Sequence, residues 1–129
     1  MKPNIIQILT GIASLILLVI ASMHYGGLSS LKDAIGVIDS AFFKGAIPGV
    51  WIMPSIHMIF IACLAFGLSF YKSRACAAML IAFGAWCLVD AAIIFIHVGP
   101  FVPVYMLGVA GLCLLAAGFM LRRSLTKIA

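Results

Sequence analysis

Four apolar runs, at 5–23, 51–70, 76–97 and 102–121, decide what this chain can fold into. Each is close to the roughly 20 residues that carry an α-helix across about 30 Å of hydrocarbon. None alternates apolar and polar residues as a barrel strand does, and lipid offers no partner for an unpaired backbone. Each run is therefore expected to be a helix. The punctuation agrees: Gly26 and Gly27 follow the first run, Tyr71 to Arg74 separates the second from the third, and Gly99-Pro100 with Pro103 makes a tight turn into the fourth.

Composition removes the soluble alternative. Of 129 residues, 66% are hydrophobic and 9% charged, with a mean hydropathy of +1.31, against about 45–50% and about 25% in soluble domains. Such a chain lacks the polar side chains to cover a surface facing water. The first run follows Lys2, as the apolar region of a cleaved leader would. It is longer than such a region, however, and Ser22-Met23-His24-Tyr25 offers no cleavage site of small residues, so it is read as a mature helix. The expectation is an all-α integral membrane protein, an antiparallel four-transmembrane-helix bundle forming one membrane domain over 1–129. Short loops make the second and third helices, and the third and fourth, antiparallel neighbours.

Orientation comes from Lys and Arg. Lys2, Lys72, Arg74, Arg122, Arg123 and Lys127 fall on one side of an even-span topology, and Lys32 and Lys44 on the other, six against two of the 8 basic residues. Basic loops stay in the cytoplasm, so both termini are placed inside, in a bacterial inner membrane. The net charge of +5 does not point to nucleic acid, because the basic residues form no patch with interleaved aromatics. Cys63, Cys87 and Cys113 lie within apolar runs, and Cys76 sits near Lys72 and Arg74. With no Cys-x-x-Cys spacing, all four are read as buried small hydrophobes.

The outer loop, 24–50, carries a pattern of its own. Leu31, Ile35, Ile38 and Phe42 recur at helical spacing while Lys32, Asp33, Asp39 and Ser40 take other faces. A short amphipathic helix over about 30–44 is expected, with Ser30 as cap, Asp33 completing a Ser-x-x-Asp start and Gly45 ending it. It lies across the outer face, in the headgroup region or as a lid.

Helix contacts in lipid favour small and polar residues. On that basis Gln7, Thr10, Ser14, Leu17, Ala21 and His24 form the inward stripe of the first helix, and Gly108, Gly111, Leu115 and Gly118 that of the fourth. Pro54, His57, Ile61 and Leu64 share a side of the second, with Pro54 in its first turn. Trp86, Asp90, Ile94 and His97 align on the third. The glycine stripe suits packing within the bundle or a homodimer equally.

The only constellation that bears chemistry lies on the outer half. Asp90 is the one acid within a span, where a carboxylate costs about 2.5–3.5 kcal/mol and is kept facing the bundle, paired or protonated. His57 reaches a similar depth when measured from Trp51, so Asp90 and His57, with Trp86 one turn away, form a candidate ligand or proton site. The bland alternative is that Asp90 bonds His57, Ser14 or a backbone group and simply joins helices. His24, His57, His97 and Asp90 together are a candidate transition-metal set, and His57 with His97 candidate haem ligands. Trp51 at its helix mouth is read as an aromatic-belt anchor.

In size and span count the chain resembles small multidrug-resistance transporters. Those depend on a membrane-embedded glutamate in the first helix. This chain contains no Glu and has Gln7, Thr10 and Ser14 on that stripe, so the resemblance transfers no site residue. No nucleophile elbow and no phosphate-cradling glycine loop is present, and an enzyme is not the favoured reading. Three functions remain: an accessory subunit or ligand-binding bundle acting with a larger membrane partner, a haem- or metal-binding redox protein, and a proton-coupled small-solute transporter centred on Asp90.

Overall fold

A computed structural model describes residues 4–126, which leaves Lys2 and Lys127 of the charge argument outside the described residues. Five helices follow one another: α1 (Ile5–Gly26), α2 (Leu28–Ile35), α3 (Ala41–Leu68), α4 (Arg74–Val98) and α5 (Val102–Thr126). α1, α3, α4 and α5 are long and apolar enough to cross a membrane. The most apolar stretch of α3 has mean hydropathy 1.9, yet only 17% of it is buried. Apolar surface left uncovered on that scale belongs in lipid, and the protein is an integral membrane protein.

Local chemistry sets most helix ends. Asn4 caps α1 by accepting from the Gln7 N–H at 3.0 Å, while the Gln7 side chain accepts from the Asn4 N–H at 3.0 Å. Gln7 is thus spent on a capping box rather than on the interior. Ser73 caps α4 through the Cys76 N–H. Gly99, at φ +100, ends that helix in a conformation that side chains resist.

The second spanning helix departs from expectation. It begins at Ala41 rather than near residue 51, and takes Gly45, Pro48 and Gly49 into its interior. Pro54 therefore lies mid-helix, not in the first turn. Unwinding here would leave N–H and C=O groups without partners, so the chain keeps its helix and forgoes only the two bonds the prolines cannot make. The outer helix is correspondingly short. α2 ends at Ile35, where Gly36 leads into the β-branched pair Val37-Ile38, and Ser30 sits inside it with Gly27 at the cap. Ile35 is buried as its spacing implied, but Phe42, now on α3, is 74% exposed.

α1 and α5 form the middle of the bundle. α3 packs on α1, α4 packs on α5, and α3 and α4 meet only over a short stretch. This corrects the expected second–third neighbour pair, since the 69–73 connection joins two helices that each prefer another partner. On α1 the inward stripe holds, with Thr10, Ser14, Leu17 and Ala21 all buried. Ser14 Oγ donates to the Ala62 carbonyl of α3 at 2.8 Å. α4 and α5 approach at glycine: a Cβ on Gly84 would lie 2.7 Å from the Leu115 nitrogen and 2.8 Å from the Gly111 oxygen. Gly118 is equally crowded, by Ile81 and Ala77, whereas Gly108 has nothing within 4 Å. Gly108 thus drops out of the expected contact, and Gly84 of α4 faces the rest of the α5 stripe. Cys63 is exposed rather than buried.

Arg74, Arg122 and Arg123 mark one end of the bundle, the arginine end, and α2 marks the other.

Candidate functional site

Because α3 leans on α1 and α4 on α5, a cleft of about 270 Å³ opens between α3 and α4. Leu17 of α1 and Leu107 of α5, both buried, form its floor. Pro54, His57, Met58 and Ile61 make the α3 wall, and Trp86, Cys87, Asp90, Ile93 and Ile94 the α4 wall. Both sets follow helical spacing, so each wall is one stripe of its helix. No residue of α2 lines the cleft, which leaves α2 beside α1 and α3 and not over the site.

His57 and Asp90 therefore face one space, although the route to that expectation changes. Depth measured from Trp51 loses its footing once α3 starts at Ala41. The two residues come together because they sit on the facing stripes of helices that part here. Asp90 is half-buried and His57 exposed. Trp86, one turn from Asp90, is 61% exposed and lines the same cleft. Ser14, considered as a partner of Asp90, is committed to the Ala62 carbonyl instead.

The other two histidines go elsewhere. His24 stacks on Trp51 with ring centroids 4.4 Å apart and planes 12° from parallel. Its Nε2 lies 2.7 Å from the Trp51 carbonyl oxygen, so that nitrogen donates, while Trp51 Nε1 donates to the His24 carbonyl at 2.9 Å. The end of α1 is thus clasped to α3 by two reciprocal bonds and a stack, one turn from Pro54. Trp51 serves this clasp, which the sequence signals only as two polar-tipped rings near helix ends. His97 is exposed near the end of α4 and does not line the cleft. Of His24, His57, His97 and Asp90, only His57 and Asp90 line the cleft. Among the described residues no three His, Cys, Asp or Glu side chains are placed to hold a metal ion.

What the cleft can do follows from its lining. It is an apolar slot lined also by a carboxylate, an imidazole and an indole, a small version of the apolar pocket with few polar groups that small ligands use. Cys87, Met58, Ile93 and Leu107 were not assigned to the site from the sequence; Cys87 and Ile93 lie three residues either side of Asp90 and Met58 four after Pro54, while Leu107 carried no such signal. No protein-family model, curated protein or solved structure matches the chain.

Proposed function

We propose that this chain is a ligand-binding bundle of a bacterial inner membrane, with both termini in the cytoplasm. It takes a small apolar amine from the lipid into the α3–α4 cleft and works beside a larger membrane partner. One observation carries the reading: Asp90, the single acid within a span, shares with His57 a cleft flanked by exposed residues, not a packed interior. Hydrocarbon cannot satisfy a carboxylate, and an occupant bearing an ammonium would do so. The apolar floor suits the body of such a ligand, and an indole, a group that attracts cations, lines the same cleft at Trp86. The orientation draws on Lys72, Arg74, Arg122 and Arg123 at one end against Lys32 and Lys44 at the other. The partner draws on the sequence alone, which carries no catalytic motif of its own.

The test uses dodecylamine as probe, with the full chain in lipid nanodiscs and Trp86 fluorescence as readout. Saturable binding is expected, weakened roughly tenfold or more by Asp90→Asn, the loss of one charge-assisted hydrogen bond. Trp86→Phe should remove the signal. Non-saturable partitioning that ignores Asp90→Asn would sink the proposal, provided circular dichroism shows the variant helical.

Proton-coupled transport through Asp90 and His57 is the second reading, favoured by the two titratable groups in one cleft. Toward the arginine end the interior is filled by Leu80 and Leu114, both wholly buried, so this reading requires a second conformation. Proton flux into liposomes that Asp90→Asn abolishes would select it.

A further inference from the structure

A second concavity, about 610 Å³, lies on the opposite side of α4 at the arginine end. Arg74 in the first turn of α4 and Arg122 near the end of α5 both line it, and Ala78, Ile81, Ala82 and Ala85 continue it toward mid-membrane. We propose that this groove binds an anionic glycerophospholipid, its phosphate between the two guanidinium groups and an acyl chain along the alanines. The proposal does not depend on the α3–α4 cleft.

The chain has 3 acidic residues: Asp33 and Asp39 belong to the α2 end, and Asp90 to the cleft. No acidic side chain stands at the arginine end to meet Arg74 and Arg122, and a bound phosphate would supply their counter-charge. A guanidinium fork matches phosphate oxygens, and basic sites between membrane helices suit lipid headgroups.

Nearer the other end, the uncovered residues of α4 are bulky: Val89, Ile93, Phe95 and Ile96 are all 47% exposed or more. Over 78–85 the uncovered positions are mostly alanine, so the surface is recessed directly above the two arginines. A second copy of this chain fits less well. Two-fold packing on this face would bring arginine toward arginine with no acid between them.

The experiment is native mass spectrometry of the full chain released from mild detergent, titrated with dioleoyl-phosphatidylglycerol or dioleoyl-phosphatidylcholine. Retained phosphatidylglycerol is expected, with phosphatidylcholine lost. Replacing Arg74 and Arg122 together by Ala should weaken retention about thirtyfold. Replacing Lys72 and Arg123, two basic residues of the same end outside the groove, should change it no more than a few-fold. Ala82→Leu keeps both charges but fills the groove, and should also weaken retention. The proposal fails if the two lipids are retained alike or if the control pair matters as much as Arg74 and Arg122. It fails equally if Ala82→Leu has no effect, if inorganic phosphate displaces the lipid, or if a lipid-free dimer occupies this face.

Discussion

Replacing Gly84 by alanine tests how α4 and α5 are held together. The added Cβ would sit 2.7 Å from the Leu115 nitrogen, 2.8 Å from the Gly111 oxygen and 2.8 Å from Leu115 Cγ, where ordinary contact begins at 3.4 Å. Two of these three atoms are backbone, so no side chain can swing aside. The helices must separate by about 0.7 Å at their closest point, and a gap of that size forfeits a quarter to a half of each dispersion contact nearby. Overpacking of this kind costs about 1–3 kcal/mol, or about five- to 150-fold in the unfolding equilibrium. Gly108→Ala is the control. It makes the same chemical change in the helix that shares this contact, with nothing within 4 Å of the new atom, so any gain in helix propensity cancels in the comparison. The assay is reversible unfolding in mixed micelles of increasing SDS content, followed by far-ultraviolet circular dichroism. Gly111→Ala should also destabilise, since its Cβ would meet the Gly84 oxygen at 2.9 Å. The double variant should cost less than the sum, because both residues relieve one contact. Equal stability of the Gly84 and Gly108 variants would refute the close-approach account.

Three further stability tests address hydroxyls and the clasp. Ser14→Ala removes a bond to the Ala62 carbonyl and should destabilise by about 0.6 kcal/mol, the average for such bonds between membrane helices. Ser55→Ala removes a buried hydroxyl that has no partner among the described residues, and should be neutral or slightly stabilising in the same unfolding assay. His24→Ala removes the bond to the Trp51 carbonyl and the ring stack, and should destabilise by about 1–2 kcal/mol. In a Trp86→Phe background, Trp51 emission should shift as its ring loses that cover, and an unchanged spectrum with unchanged stability would count against the clasp.

Much of the fold was legible because lipid imposes few solutions. Length and apolarity gave the four spanning helices, and the small and polar stripe of α1 gave its buried face. Legibility failed where local punctuation met the membrane. Gly45, Pro48 and Gly49 read as a stop, yet α3 runs through them, because a helix interrupted by proline loses single bonds while an unwound segment loses many. The glycine stripe was half legible for a related reason. Spacing shows which glycines share a face, not which of them the neighbouring backbone touches, and so Gly108 was included and Gly84 overlooked.

The site was legible as a list of residues and not as a place. Asp90 and His57 stand out in any reading of so apolar a chain, but the space between them exists because of contacts made elsewhere. The 69–73 connection ties one end of α3 to α4. Beyond it, Ser14 and the His24–Trp51 clasp draw α3 onto α1, while Gly84, Gly111 and Gly118 let α4 settle onto α5. Each outer helix is held by its inner partner, so the two walls part and their polar stripes are left facing a gap. It follows that widening the α4–α5 approach at Gly84 would move the Asp90 wall as well as loosen the bundle. Dodecylamine affinity should then fall in Gly84→Ala although Gly84 is not among the residues lining the cleft.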